Sequence, residues 1–443
     1  MIKQPGFTAE YKEKSRAILE YALSNLGAYQ PWQACDPGNK HAVDARYAAM
    51  PALTKQDIRE HFPRGFVPPE KDIAQGLAGG EINFVETSGS SDAFRATNIW
   101  NQPWWDASER ASWELNAHAS RLATGDHPEA ILVNALNVGI ISDEADLPLE
   151  KRRLGRFLYL NEKTDPTAWT PWLMNRMLHE IEVFKPALLE ANPSFLAKLC
   201  RYAAENRKKV FQPGLIVFTY EFPSRLHFRQ VARVFNCPAV SSYGSTETGY
   251  VLMQCEAGKF HQNIKSCRLD FQPLKPEHGG PYTGRLLVTT FDNPWYYILR
   301  FDIGDLVQVD EKGKCACGRD NGYIISEVEG RWTNATLDTE GRLVTLNRLD
   351  AAVSLMEGID EYSLEQPARG VYRLCLVSRR KDRGALVVEA EDRLRGVYGR
   401  EAAVTVVFQE QLAPEDSGKY CLARTLFPLG DIENYLDNAP AKR

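Results

Sequence analysis

Five short segments of this chain combine residue types that can do chemistry together. Glu86-Thr-Ser-Gly-Ser-Ser-Asp92 gathers small hydroxyl residues around one glycine, just after the apolar run Ile82 to Val85. Backbone N–H groups and hydroxyls in such a loop can cradle a phosphate. Thr87, Ser88, Gly89, Ser90 and Ser91 are the candidates, with an ordinary polar loop as the rival reading. No GK[ST] follows, so this is not a Walker loop. Ser241-Ser-Tyr-Gly-Ser-Thr-Glu-Thr-Gly249 sets Tyr243, Gly244, Ser245, Thr246 and Glu247 directly after a buried-looking strand. In open parallel sheets, ligands bind off the C-terminal strand ends. The hydroxyls there can meet phosphate oxygens, and Glu247 can hold magnesium, which needs only one or two carboxylates plus substrate oxygens. A capped turn is the alternative.

In Leu299-Arg-Phe-Asp-Ile-Gly-Asp-Leu306, Asp305 sits beside a glycine and can accept two hydrogen bonds from a ribose diol. An Asp-rich β-turn is the plainer reading. Ser417-Gly-Lys-Tyr420 offers Lys419, which by itself reads as an exposed, flexible cation. Cys255 and His261, together with the tight pair Cys315 and Cys317, supply three thiolates and one imidazole. That set would close a tetrahedral zinc site, although the spacing departs from the commoner CxxC. Cys267 is a substitute ligand, and two unrelated reduced pairs are the alternative.

These residues need a frame to hold them. At 443 residues, the chain is expected to form two or three domains. Hydrophobic residues at 44% and charged residues at 25% fit a soluble globular protein. Lys plus Arg is 53 and Asp plus Glu is 58, a net charge of −5 that lacks the basic footprint of a nucleic-acid binder. No apolar run is long enough to span a bilayer, and the N-terminus shows no signal core. Nine cysteines, an odd number in so long a chain, predict a reducing cytoplasm rather than a disulfide scaffold. An intracellular enzyme is the favoured class.

Periodicity predicts helices over Phe7 to Leu26, Trp104 to Ala123, Thr170 to Phe184, Pro193 to Arg207 and Ser224 to Phe235. Strands are expected over Ile131 to Leu136, Leu215 to Tyr220 and Pro238 to Tyr243. Their alternation implies crossover units and a largely parallel sheet. Thr54 with Asp57 predicts a capped short helix. After Gly249 come shorter β segments, Gly284 to Thr290 and Ile303 to Val309. Beyond a boundary near Arg331, helices and strands alternate over about 110 residues, enough for a small α+β domain. The fold class is therefore α/β, with domains at 1–330 and 331–443.

Taken together and in this order, the segments resemble the adenylate-forming superfamily, and within it the phenylacetate–coenzyme A ligase family. Leu53-Thr-Lys-Gln-Asp-Ile-Arg-Glu-His-Phe-Pro63 resembles the family's entry segment, and Phe184-Lys-Pro186 and Asn192-Pro-Ser-Phe195 its middle helices. YGSTETG is similar to the adenine- and metal-binding motif. Glu329-Gly-Arg331 resembles the hinge, and Asp416-Ser-Gly-Lys419 the C-terminal catalytic-lysine motif. Cys255 to His261 and Cys315 to Arg319 resemble segments that hold a structural zinc in several members. The resemblance runs from about Pro51 to Lys419.

The resemblance implies a large N-terminal adenylation domain with mixed and parallel sheets, followed by a small mobile lid. It implies that Thr87, Ser88, Gly89, Ser90 and Ser91 hold phosphates, Tyr243 lies beside adenine, Thr246 contacts phosphate and Glu247 binds magnesium. Gly244 and Ser245 belong to the same motif. Asp305 would hold ribose, Arg331 would reach the nucleotide, and Lys419 would approach the carboxylate and α-phosphate.

The implied reaction joins a carboxylic acid, aromatic by the same resemblance, to the thiol of coenzyme A through an acyl-adenylate. ATP, Mg2+, coenzyme A and structural Zn2+ are the implied cofactors. Aromatic candidates for an acid pocket are Trp100, Trp104, Trp105 and Tyr220, with the Ile131 to Leu136 strand as a wall. An amine acceptor or a carrier-protein thiol would keep the first step and change the second. The phosphate loop departs from the family, since Asp92, Ala93, Phe94 and Arg95 stand where Gly and then Lys usually follow. That departure is what a non-catalytic nucleotide-binding homologue would show. No nucleic-acid or membrane partner is expected, and a homodimer is left open.

Overall fold

The computed structural model describes residues 5–86, 96–122 and 125–437. They divide into two compact units: one within 1–124, 242–327 and 436–443, the other within 125–241 and 328–435. The divisions at 241/242 and 327/328 fall inside two strands, Ala239–Ser245 and Ile324–Arg331.

The first unit opens with the helix Ala9–Asn25, capped by Thr8, close to the predicted range. Thr54 and Asp57 form the expected capping box on the helix Lys55–His61, each side chain accepting the other residue's backbone N–H. The helix predicted to run to Ala123 instead spans Gln102–Trp113. Asn116 ends the pattern: its side-chain oxygen accepts the N–H groups of His118 and Ala119 at 2.8 and 3.0 Å and starts a separate turn. The sheet of this unit runs in the order Cys267–Pro273, Thr283–Thr290, Phe301–Val309, Ile324–Arg331, Phe260–Gln262, Gly249–Gln254, Ala239–Ser245. Cys267–Pro273, Thr283–Thr290 and Phe301–Val309 pair antiparallel, as do Ile324–Arg331, Phe260–Gln262, Gly249–Gln254 and Ala239–Ser245.

The second unit carries the parallel sheet that the alternating pattern predicts. Glu129–Leu132, Leu188–Ala191, Leu215–Phe218 and the start of Ala239–Ser245 run parallel side by side, with Phe157–Tyr159 on the far flank. The strands Leu188–Ala191 and Leu215–Phe218 are buried along their whole length, as strands covered on both faces must be. Helices Pro171–Phe184 and Pro193–Glu205 cover them through Leu173, Met177, Phe195 and Leu199. Each helix begins with a side-chain cap and Pro at its first position. The strand expected through Leu136 stops at Leu132. Asn134 accepts the N–H of Leu136 at 2.9 Å and caps a short helix, Ala135–Val138.

Residues 328–435 add a four-stranded sheet in the order Ala403–Gln409, Val371–Ser378, Ile359–Ala368, Ala423–Thr425. Helices Leu346–Val353 and Arg383–Tyr398 pack on it through Leu349, Val353, Leu386 and Leu394. Asp350, fully buried, ties this part to the rest of the same unit. It accepts the Ser224 hydroxyl, the Arg225 N–H at 2.9 Å and the Tyr362 hydroxyl at 2.7 Å. Among the described residues, no helix is long and apolar enough to cross a membrane.

Candidate functional site

The glycine-bracketed motif is a hairpin between Ala239–Ser245 and Gly249–Gln254. Its glycines are required by space. A Cβ on Gly244 would lie 2.1 Å from the Gly249 carbonyl oxygen. Gly249 has φ +66°, and a Cβ there would lie 2.8 Å from the Ser108 hydroxyl and 3.0 Å from Trp104. Ser245 and Thr248 close the turn through their hydroxyls at 3.0 Å, leaving Thr246 and Glu247 at its tip.

Tyr243, half-buried, donates its hydroxyl to Asp305 Oδ2 at 2.9 Å. The structure separates the two aspartates of the Asp302-Ile-Gly-Asp305 turn. Asp302 spends one oxygen on the Gly304 N–H at 2.8 Å and the other on Arg285 at 2.8 Å. Asp305 keeps Oδ1 without a hydrogen bond among the described residues, so it is the carboxylate that a diol could reach.

Glu247 is 3% exposed, and its Oε1 has no hydrogen-bond partner among the described residues. A buried carboxylate oxygen without a donor is costly, and a cation would relieve that cost. Magnesium fits this oxygen. The hydroxyl loop Thr87, Ser88, Gly89, Ser90 and Ser91 lies outside the described residues, as do Asp92 to Arg95.

Cys255, His261, Cys315 and Cys317 bring one ligand atom each to within 4.8 Å of one another. The Sγ atoms of Cys255 and Cys315 are 3.6 Å apart, and Cys317 Sγ is 3.2 Å from His261 Nε2. A disulfide would need about 2.05 Å. Two thiolates each about 2.3 Å from one tetrahedral ion would stand roughly 3.8 Å apart, so the spacing fits zinc. The two cysteine segments are both tight turns, closed by Gly258 N–H to Cys255 O at 2.9 Å and Gly318 N–H to Cys315 O at 3.1 Å. Burial holds the His261 imidazole down at about 4, so it is neutral at pH 7, as a ligand must be. Cys267 does not join the group. It is fully buried, with its thiol toward the carbonyls of Asn263 and Val251.

The lysine segment belongs to the second unit, and its setting corrects the exposed reading. Ser417 and Gly418 are buried and Lys419 is half-buried. Gly418, at φ +74°, lies on Asn134: a Cβ would sit 1.6 Å from Asn134 Nδ2. Asn134 is itself fixed, since Nδ2 donates to Thr164 O at 2.8 Å. On another side stands Glu221, which accepts the N–H of Ser194 at 3.1 Å and that of Tyr420 at 3.4 Å. Burial raises the Glu221 pKa, while Ser194, the Tyr420 N–H and the charge of Lys419 pull it back down.

Arg331 opens the 3-10 turn Trp332–Asn334, and its charge acts on Glu415, four residues before Lys419. Its neighbour Glu329 is buried and accepts the Thr345 hydroxyl, with the Asn347 amide at 3.3 Å. Asn134 and Glu221 were not among the sequence candidates. The one signal for Glu221 was a carboxylate between two aromatics just past an apolar strand.

Among the aromatic candidates, Trp104 is core. It is 8% exposed and donates its indole N–H to Phe291 O at 2.8 Å. Trp100 packs on Trp105 with ring centroids 4.1 Å apart, and Trp105 meets Tyr250 at 5.1 Å, directly after Gly249.

The fold is shared with solved acyl-CoA ligases. A 2-hydroxyisobutyryl-CoA ligase, solved in a postadenylation state with R3-HIB-AMP, superposes with a TM-score of 0.71 at 16% identity, covering 96% of this chain and 90% of that one. The same ligase in an open conformation with 2-HIB-AMP and CoA gives 0.53 at 16% identity, over 96% and 93%. The anthranilate CoA ligase AuaEII with anthranoyl-AMP gives 0.52 at 12% identity, over 77% and 65%. By sequence, Protein CapK of Staphylococcus aureus is 26% identical over 179 residues, 38% of this chain and only 39% of that protein's length. No family model matches the chain.

Proposed function

We propose that this chain is an AMP-forming ligase that activates a carboxylic acid and transfers its acyl group to coenzyme A. In the first step, a carboxylate oxygen of the acid attacks the α-phosphate of ATP and pyrophosphate leaves. In the second, the coenzyme A sulfur attacks the acyl carbon, AMP leaves with the bonding pair, and the thiol proton passes to solvent.

The observation that carries this reading is Glu247. It is a buried carboxylate with one unpartnered oxygen, held at the tip of a glycine-bracketed hairpin beside the Tyr243–Asp305 pair. The fold shared with ligases solved with acyl-adenylates supports it.

The residue roles are those that the resemblance of these segments to the adenylate-forming superfamily implies. Tyr243, with Gly244 and Ser245, borders the adenine, and Asp305 Oδ1 accepts from the ribose. Thr246 and the hydroxyls of Thr87, Ser88, Ser90 and Ser91, with Gly89, contact phosphate oxygens. Arg331 reaches the nucleotide. Lys419 bridges the acid and the α-phosphate, stabilising charge that grows in the transition state. Bound at Glu247, magnesium would neutralise phosphate charge. Residues 331–443 act as a lid on a domain of residues 1–330, closing for the first step and turning for the second, which keeps water from the mixed anhydride. Cys255, His261, Cys315 and Cys317 hold one structural zinc, away from the reaction.

The acid is a planar aromatic one. The Trp100–Trp105–Tyr250 cluster beside Gly249 supplies apolar surface of the kind such ligands use. The deciding experiment measures AMP and pyrophosphate with benzoate, phenylacetate, short aliphatic and long-chain acids, each with and without coenzyme A. AMP formed with an aromatic acid, and the thioester only when coenzyme A is added, is the expected result. Absence of AMP with every acid overturns the ligase reading. Preference for an aliphatic acid overturns only the aromatic part. Pyrophosphate release that gives no coenzyme A thioester points to an amine or carrier-protein acceptor. Metal analysis of protein purified without chelator should find about one zinc per chain.

A further inference from the structure

Tyr220 is a backbone outlier. Its φ of +73° is unusual for a bulky residue, and the Glu221 N–H reaches back to Thr219 O at 2.9 Å. Together these make a strained γ-turn at the C-terminal end of the parallel strand Leu215–Phe218. Strain of this kind persists only where the surroundings over-determine it, and it collects at functional positions. Here it turns the Glu221 carboxylate toward two backbone donors. One is Ser194 N–H, at the start of the helix Pro193–Glu205; the other is Tyr420 N–H, next to Lys419. The Lys419 charge also acts on Glu221. The opposite side of the loop rests on Asn134, where Gly418 leaves no room for a side chain.

We propose that Glu221 is a positioning residue for Lys419, a carboxylate latch that clasps the 415–420 loop to the end of the Leu215–Phe218 strand for the adenylation step. This rests on the ligase reading for its kinetic consequence but not for its structural one. A carboxylate can accept from both N–H groups at once. A Gln side chain has one acceptor oxygen, and its amide would face a donor. Glu221→Gln keeps the shape and breaks the latch.

The test has two arms. In the first, hydrogen exchange is followed at the backbone amides of 415–420 in the unmodified chain and in Glu221→Gln. Exchange in the variant should be faster by roughly tenfold or more, the size expected for losing a hydrogen bond to a charged group. In the second arm, both half-reactions are timed. ATP–pyrophosphate exchange with benzoate or phenylacetate should slow by roughly tenfold or more, while thioester formation from synthetic benzoyl-adenylate stays within about twofold. Because the latch acts through Lys419, Glu221→Gln should add nothing to Lys419→Ala.

Unchanged exchange at 415–420 overturns the latch, whether or not the chain adenylates any acid. Equal slowing of both half-reactions with a lowered Tm also overturns it, since that is a structural role. If the unmodified chain adenylates nothing, the ligase reading fails and the exchange arm alone decides the latch. Should Glu221→Gln not fold, Glu221→Asp, which withdraws the carboxylate by one methylene, is read in the same way.

Discussion

The Tyr243–Gly249 hairpin and the Ser417–Tyr420 loop both carry proposed catalytic groups, but they are held in place differently. The hairpin is built from two adjacent antiparallel strands, and its shape follows from close backbone approach at Gly244 and Gly249. One long reach, Tyr243 to Asp305, lands on a strand of the same sheet. The lysine loop has three bonds of its own: Gly418 N–H to Glu415 O, Glu415 N–H to Lys419 O, and Lys419 N–H to the Ser417 hydroxyl at 3.4 Å. The rest comes from Asn134 and Glu221, far away in sequence, and from Tyr420 packing against buried apolar residues. A site made from neighbouring strands is fixed when the sheet forms. A loop held mainly by contacts to distant elements can let go more readily, which suits a residue needed in only one of two steps.

The sharpest test of this contrast is Lys419→Ala. It should slow adenylate formation by roughly 10²-fold or more, as removal of one preorganised charge-stabilising donor does. Tm should hardly move, because the half-buried side chain anchors no core. Adenylation at the parent rate in rapid-quench measurements would break the role given to this lysine. Gly418→Ala comes next. Its Cβ cannot coexist with Asn134, so the loop should undock and adenylation should fall by about tenfold or more, with Tm again little changed. A large Tm loss instead would mean that this loop is as built-in as the hairpin.

The hairpin should answer in the opposite way. Gly249→Ala forces a side chain to φ +66° against Ser108 and Trp104, costing about 1–3 kcal/mol of stability by denaturant titration. Stability equal to the parent would show that the hairpin is looser than its packing implies. Smallest is Tyr243→Phe, which removes the 2.9 Å bond to Asp305. A net hydrogen bond of about 1 kcal/mol corresponds to roughly fivefold in the KM for ATP, with kcat nearly unchanged. A fall in kcat with KM unchanged would shift Tyr243 from binding to chemistry.

Much of this was legible in the sequence where the causes are local. Thr54 with Asp57 announced a helix start, because a cap and its donors lie within three residues. Fully apolar runs such as Leu215 to Phe218 announced buried parallel strands. The errors fall where a polar side chain competes with periodicity. Asn116 cuts the helix after Trp113, and Asn134 turns an expected strand into a helix start. Apolar spacing carries no record of such competition.

Sequence by itself determined which chemical groups exist and their order: the hydroxyl–glycine motif, the Asp turn, the cysteine pairs and the terminal lysine. It also determined the local geometry that a cap or a glycine enforces, since those energies act within a few residues. Tertiary structure decided which of these groups stay available. Asp302 is consumed by Arg285 while Asp305 keeps one oxygen, and Cys267 is buried apart while four other residues converge. The half-buried Lys419 sits between Gly418, which lies on Asn134, and Tyr420, which Glu221 holds, rather than loose in solvent. The reason is that burial and pairing are set by whatever the fold packs against a group, and those partners lie far from it along the chain.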